Sequence, residues 1–496
     1  MMLSLKELSS VVEVLDRGGD QGVLIRGLHY DSRRVEPGFL FVAVPGFRTD
    51  GHLYLKEAAE RGAVAAVIQK EVPLPPGISW IRVRDTRMAL ADLAAYFYGY
   101  PSRRLRLFGV TGTNGKTTTT YLIEGLLSQA GRPTGLLGTV ANRLGEQVLT
   151  TEHTTPESLD LQRLLAWMVD SGAEAVAMEV SSHALALERV RGTEFDVAVF
   201  TNLTQDHLDF HRNMEDYFNA KAKLFTSLGE GFKSGFKYAV INSDDLWSPR
   251  LIALTKVPVI TYGLRTKAMV RAENVKMEST GTFLEVVCAG QRYPLHLKLV
   301  GQFNVYNALA AWSVGWQEGL EPHVIADILS RLEGAPGRFE KVEAGQDFTV
   351  IVDYAHTPDG LENVLRAARQ VTPGRVIVVF GCGGDRDRTK RPLMGEAAAK
   401  LSDFCVITSD NPRSEDPEAI IAEILPGVER VKTRDYIVEV DRRRAIARAL
   451  EMARSGDTVV IAGKGHETYQ LIGGKVLPFD DRQVAREELK RLGWKG

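Results

Sequence analysis

The sequence predicts an α/β protein of three domains. A small mixed α/β N-terminal domain spans residues 1–104, a central doubly wound sheet built around a phosphate loop spans 105–335, and a C-terminal Rossmann-like sheet spans 336–496. Three observations predict this. From Leu105 onward, an apolar strand, a turn and a helix recur in sequence, and that rhythm builds parallel sheets covered by helices. The rhythm restarts after EGAPGRFEKV, whose Gly and Pro content marks a boundary at about Gly334–Arg338. Before Leu105, extended runs such as FLFVAV alternate with the helix-like YLKEAAERG. This first region ends in a helix that stops at YFYGYP, where Gly99 and Pro101 break it.

The central elements run in order from the strand LRLFGVTG through the helix KTTTTYLIEGLLSQAG to the strands AEAVAMEV, FDVAVFTNL and KYAVINSD, with helical stretches between them. The last third carries FTVIVDYAHTPDGLENVLRAA, RVIVVFGCGGDRDR, FCVITSDNPRSEDPEAIIAEIL and TVVIAGKGHETYQ, a second series of strands that end in loops. A chain of 496 residues can bury several cores. Its 61 basic and 63 acidic side chains are interspersed, with no basic stripe for a nucleic acid and no polybasic membrane patch. Small-molecule partners are therefore expected. Cys288, Cys382 and Cys405 form no CxxC pair and no metal spacing, which suits a reducing compartment. Lys6 and Glu7 stand where a signal peptide needs apolar residues, and no run approaches the roughly 20 apolar residues of a spanning helix. The expectation is a soluble, cytoplasmic monomer.

GVTGTNGKTTTT, residues 109–120, follows a strand and opens a helix, the context a phosphate loop requires. Its candidate nucleotide contacts are Gly112, Thr113, Asn114, Gly115, Lys116, Thr117 and Thr118. The glycines let backbone N–H groups turn onto phosphate oxygens, the Lys116 ammonium reaches the terminal phosphates, and the Thr117 hydroxyl is placed to ligate Mg²⁺. Val110 stands where the longer form of the motif has glycine, so the match is to the shorter GTNGKT variant.

VTGTNGKTT resembles the nucleotide loop of the Mur ligase family, ATP-dependent enzymes that join an amino acid to a carboxylate. MEVSSHAL (178–185), FTNLTQDHLDFH (200–211), YFNAKAKLF (217–225), GQFNVYNALAA (301–311), GRFE (337–340) and DYAHTPD (353–359) resemble that family's landmarks in the family's order. With the N-terminal YDSRRVEPGFLFVAVPG they cover nearly the whole chain. The resemblance implies that ATP phosphorylates the carboxylate to be joined before an amine attacks it. It makes Lys116, Glu179, His207 and Lys221 the catalytic residues, with Thr117, Glu179, His207 and Lys221 around Mg²⁺. It also implies that Lys221 takes up CO₂ to become a carbamate. The spacing AKxxLF selects Lys221 over its neighbour Lys223. Without the resemblance, Lys221 reads as an exposed helix lysine, and His207 with His211 reads as a zinc pair lacking a third soft ligand. Asn304, Arg338 and Asp353 match the family's contacts to adenine, phosphate and ribose, so ATP is expected to bridge two domains.

The N-terminal YDSRRVEPGFLFVAVPGFRTDG resembles the uridine nucleotide segment of the members that add the third residue of the peptidoglycan stem. Ser32 then contacts the uridine diphosphate, and Thr154, Thr155, Ser181 and Arg189 hold the muramyl dipeptide. Leu187 stands where some members have Gln, which leaves one polar contact unmatched. For the incoming amino acid, SDNPRSEDP (409–417) has the DNPR form that the family shows with meso-diaminopimelate, and lysine-adding forms lack that arginine. The implied diaminopimelate contacts are Arg386, Asp410, Asn411, Pro412, Arg413, Gly463 and Glu467. On residues alone, Arg413 reads more readily as a charge that balances its acidic neighbours in a solvated loop. A lysine-adding relative, folylpolyglutamate synthase and a phosphate-loop ATPase switch are the rival expectations.

Overall fold

The structure is a computed structural model that describes every residue except Met1, Phe47, Arg48, Thr150, Glu152, Ser279, Lys495 and Gly496. It has three principal sheets, each confined to one third of the chain. In the first, strands Gly27–His29, Phe39–Val42, Ala63–Ile68 and Ser79–Arg82 pair in parallel, and Asp16–Gly18 closes one edge antiparallel. Helix Thr86–Phe97, capped by the Asp85 side chain, covers this sheet with Leu90, Leu93 and Ala94. Leu159, from the following region, joins the same core.

The central sheet has eleven strands. Arg106–Thr111 lies in its middle, with Ala175–Glu179 on one side and Val197–Phe200 on the other, all parallel. The chain therefore winds outward in both directions from Arg106–Thr111, and ligands collect beyond the carboxyl end of such a switch point. Helices Lys116–Gln129 and Gln302–Gln317 pack on one face, and Ser158–Asp170 with Met214–Thr226 pack on the other. The strands are near-continuous apolar runs because both faces are covered. Three antiparallel strands, Val270–Glu278, Gly281–Cys288 and Gln291–Leu297, extend one edge.

The third sheet runs Glu340–Lys341, Thr349–Asp353, Thr458–Ala462, Val376–Phe380, Phe404–Ile407, Tyr436–Val438, parallel apart from its first edge. Helix Pro358–Val371 shows why its helices form. Thr357 caps it through Gly360 N–H at 3.1 Å, Pro358 opens it, and Leu361, Val364, Leu365 and Ala368 make the buried stripe. Among the described residues, no helix is long and apolar enough to cross a membrane.

Candidate active site

The carboxyl ends of the central and C-terminal sheets face one another across a cleft of about 830 Å³. The phosphate loop forms its floor. Gly115, at φ +84°, caps helix Lys116–Gln129, and a Cβ on Gly112 would meet Thr201 Oγ1 at 1.8 Å, so neither position tolerates a side chain. Lys116 folds back over the loop and donates to the carbonyls of Gly112 at 2.9 Å and Thr113 at 2.8 Å. Burial lowers its pKa, against the opposing pull of Glu179 and Asp206. The Thr117 hydroxyl donates to Glu179 Oε2 at 2.9 Å, and Thr139 N–H holds Glu179 Oε1 at 2.7 Å. Glu179 ends its strand and is almost fully buried.

Helix Met214–Thr226 puts Lys221 inside and Lys223 outside. Lys223 is half-exposed and pairs with Glu188 at 3.1 Å. Lys221 is 2 % exposed, donates to Gly112 O at 2.8 Å and lies 4.6 Å from the Tyr217 ring. Burial, and then the charge of Lys116, hold its ammonium far below the usual lysine range. His207, at φ +56°, is tied to Asp206 through its N–H at 2.9 Å and through its ring at 3.3 Å. Burial pulls its pKa to about 3 despite Asp206, so the ring is neutral. His211 packs instead against Tyr217 and His183. Among the described residues, no three His, Cys, Asp or Glu side chains converge as a metal cluster.

The C-terminal region supplies the roof. Arg338 donates to Thr117 Oγ1 at 3.2 Å and lies over the Tyr354 ring at 4.4 Å. Asp353 spends both oxygens on backbone, accepting from Phe339 N–H at 2.6 Å and Ala355 N–H at 2.7 Å. Asn304 is buried behind the wall, bonded to Val300 O and Asn307, and Asn307 rather than Asn304 lines the cleft. Thr154, Thr155, Ser181 and Arg189 line one end. Thr155 Oγ1 donates to Glu179 O at 2.8 Å, Ser181 caps the next helix, and Arg189 pairs with Glu157 at 2.9 Å. Ser32 lies outside this cleft, on the turn Ser32–Arg34, with its hydroxyl on Glu57 at 3.0 Å.

Arg386, Asp410, Asn411, Arg413, Gly463 and Glu467 line the other end, on three loops beyond strands Val376–Phe380, Phe404–Ile407 and Thr458–Ala462. Asp416 caps helix Pro417–Glu429, which leaves the preceding residues as loop. Asn411 Nδ2 donates to Glu467 Oε2 at 2.8 Å, and its Oδ1 accepts from Lys464 at 3.1 Å and Leu471 N–H at 3.0 Å. A Cβ on Gly463 would meet Asp410 Oδ2 at 2.3 Å. Arg413, at φ +55°, is fixed by backbone bonds to Leu471 and Gly473, and its Nη1 donates to Gly384 O at 2.7 Å. Among the described residues, neither Arg413 nor Arg386 forms an ion pair, although the charge of Arg413 acts on nearby Asp385. Glu415 is taken by Arg391 instead.

Three family models match in register with this architecture: the Mur ligase family catalytic domain over residues 24–98, the Mur ligase middle domain over 110–315, and the Mur ligase glutamate ligase domain over 337–465. A UDP-N-acetylmuramoyl-L-alanyl-D-glutamate--2,6-diaminopimelate ligase of Syntrophomonas wolfei is 52% identical over 466 residues, covering 94% of this chain and 95% of its own. The chain belongs to the Mur ligase family. A solved structure of a ligase of that same name superposes with a TM-score of 0.69 at 34% identity, over 99% of this chain and 100% of its own. Folylpolyglutamate synthase of Mycobacterium tuberculosis shares the fold at 19% identity and a TM-score of 0.63, over 76% of this chain and 92% of its own.

Further side chains of this Mur ligase, not marked by the sequence motifs, line and bridge the cleft. Asp359, beside the cap of helix Pro358–Val371, accepts from Asn114 Nδ2 at 2.6 Å and Thr204 Oγ1 at 3.3 Å, which stitches the roof to the phosphate loop. Lys390 donates to His356 O at 2.9 Å, and both line the cleft. Asp359 was legible as a helix-start acid, but its partners lie 245 and 155 residues away.

Proposed function

We infer that this Mur ligase joins meso-diaminopimelate to UDP-N-acetylmuramoyl-L-alanyl-D-glutamate with consumption of ATP, a cytoplasmic step of peptidoglycan precursor synthesis. One observation carries the choice of acceptor. Two guanidiniums that form no ion pair among the described residues, Arg386 and Arg413, line the same cleft as Asn411, Glu467 and the phosphate loop. A diamino dicarboxylate has a second zwitterionic end that needs both a cation and an anion, whereas lysine offers no carboxylate there.

In this reading the glutamate carboxylate oxygen attacks the γ-phosphorus, ADP leaves, and an acyl phosphate forms. The amine of diaminopimelate then adds to the acyl carbon, loses a proton, and expels phosphate to leave the amide. Lys116 and Arg338 offset the charge of the two anions that meet. Residues from Gly112 to Thr118 cradle the phosphates, and Asn304 and Asp353 brace the nucleotide wall through the backbone bonds described above. Ser32 holds the uridine diphosphate from the first domain, and Thr154, Thr155, Ser181 and Arg189 hold the dipeptide. Residues 1–104, 105–335 and 336–496 act as the three units that bring these groups together. The roof meets the floor through Arg338–Thr117 and Asp359–Asn114. That contact excludes water from the acyl phosphate.

The donor set fits Mg²⁺. Thr117 and Glu179 present paired oxygens, and His207 is neutral. Lys221 as an amine offers no oxygen, but burial lowers its pKa and so favours the neutral amine with which CO₂ reacts, and a carbamate there would complete the set. When bound, Mg²⁺ supplies charge neutralisation to the transferring phosphoryl group.

The test incubates the purified protein with the muramyl dipeptide nucleotide, ATP and Mg²⁺, with meso-diaminopimelate or L-lysine in turn, and follows both phosphate and the tripeptide product. Phosphate release that depends on diaminopimelate is expected. Preference for lysine would transfer the assignment to the lysine-adding relatives, and amine-independent release would make the protein an ATPase switch.

A further inference from the structure

Arg413 can serve the acceptor only if its acidic neighbours leave it alone, and the fold contains a device for this that no substrate contact requires. Glu415 lies two residues beyond Arg413 in the same loop. Its carboxylate is taken from two sides. Arg391, which is fully buried on helix Lys390–Leu401, donates from Nη2 to Glu415 Oε1 at 2.8 Å and from Nη1 to Oε2 at 3.0 Å, a two-pronged pair. Asp385 N–H also donates to Glu415 Oε1 at 2.6 Å. The carbonyl of the same peptide unit, Gly384 C=O, accepts from Arg413 Nη1 at 2.7 Å. In a trans peptide the C=O and N–H point opposite ways, so this one unit stands between guanidinium and carboxylate. The positions are tightly set. A Cβ on Gly383 would meet Arg413 Nη1 at 2.8 Å, and one on Gly384 would meet Pro412 O at 2.0 Å and Glu415 Cβ at 3.3 Å. Arg391 is itself anchored by Glu423 at 2.8 Å and by Gly383 O at 3.3 Å.

We propose that Arg391 is a positioning residue for acceptor recognition: with the Gly384–Asp385 peptide it sequesters Glu415, so that the Arg413 fork remains open to the distal carboxylate of the incoming amino acid. This rests on the acceptor assignment made above. Without Arg391, Glu415 swings onto Arg413 and competes with the substrate carboxylate for the same donors. The deficit is then one of acceptor affinity, and ATP binding and phosphoryl transfer proceed as before.

Arg391→Met and the double variant Arg391→Met with Glu415→Gln test this in the full-length enzyme, with KM for diaminopimelate, KM for ATP, kcat and Tm measured for each. In Arg391→Met, KM for diaminopimelate is expected to rise about tenfold or more, the scale of one charge-assisted hydrogen bond, with KM for ATP unchanged. The double variant should recover the acceptor KM although its Tm stays below wild type, since the competing carboxylate is gone but the buried pair is not restored. Recovery of acceptor KM without recovery of Tm is the result that a purely structural ion pair does not produce. An unchanged acceptor KM in folded Arg391→Met, an equal rise in both KM values, or a double variant as weak as the single overturns the proposal. Wild-type enzyme that ignores diaminopimelate overturns the acceptor assignment itself.

Discussion

The two ends of the cleft handle positive charge in opposite ways. At the phosphate end, Lys221 is buried and Lys116 is half-buried, both donate to the Gly112 carbonyl, and desolvation lowers the pKa of each. At the acceptor end, Arg386 and Arg413 line open volume and form no ion pair among the described residues. The proposed reaction of Lys221 with CO₂ needs an unprotonated amine, which a dry place favours. A fork that must stay charged and planar has to be an arginine, and it needs protection from stray carboxylates rather than from water.

The largest expected effect breaks the phosphate end. Lys116→Ala should lower turnover about 10³-fold or more while leaving the circular dichroism and Tm near wild type, because the ammonium stabilises charge in the transition state. Near-normal turnover would remove Lys116 from the chemistry. Lys221→Ala should fall nearly as far, and added bicarbonate should not restore it. A small carboxylate in the buffer is expected to recover part of the activity by occupying the place of the carbamate. Lys223→Ala is the control, since that side chain faces solvent and Glu188. Loss of activity in Lys223→Ala with retention in Lys221→Ala would reverse the assignment of the two lysines.

At the acceptor end, Arg413→Ala should cut turnover efficiency with diaminopimelate about 10²- to 10³-fold, the cost of removing one partner of a desolvated charge pair. Arg413→Lys, which keeps the charge but loses the fork, should fall between. The ratio of efficiency with diaminopimelate to that with lysine sharpens the contrast, because removing a carboxylate-binding fork penalises only one substrate. Were that ratio unchanged, substrate choice would reside elsewhere.

How much of this was legible in the sequence differs between the two ends for a physical reason. The phosphate loop announces itself within twelve consecutive residues, because strand, glycine turn and helix start are all local. The side of the helix that Lys221 occupies was also readable in principle. Its neighbours on one face, Tyr217, Phe218, Leu224 and Phe225, are all buried, whereas Lys223 shares its face with Asn219 and Ser227. Arg391 had no such signal. TKRPLMG resembles any basic surface helix start, and the acids that bury its guanidinium lie 24 and 32 residues further on. The free state of Arg413 was undecidable for the same reason, since the fate of Glu415 depends on a residue outside the loop. The strands from Val270 to Leu297 went unnamed because alternation within a hairpin does not reveal that the hairpin continues a parallel sheet.

The smallest expected effect bears on the central and C-terminal regions at once, through four desolvated histidines. Burial lowers His183 and His356 to about 4, and His207 and His466 to about 3. Two belong to the central region and two to the C-terminal region. In the unfolded chain each titrates near 6.5, so between that value and about 3–4 the unfolded state binds protons that the folded state refuses. Stability therefore falls as pH falls through this window, by at most about 1.4 kcal/mol per pH unit for each histidine. His466→Gln removes one such proton without adding a charge, so its Tm should fall less steeply than wild type between pH 6.5 and 4, with the two curves parallel above pH 7. His183→Gln should flatten the curve similarly from the central region. Wild-type and variant curves of identical slope through the window would mean that these two rings take up protons equally in the folded and unfolded states, and that acid sensitivity resides in other groups.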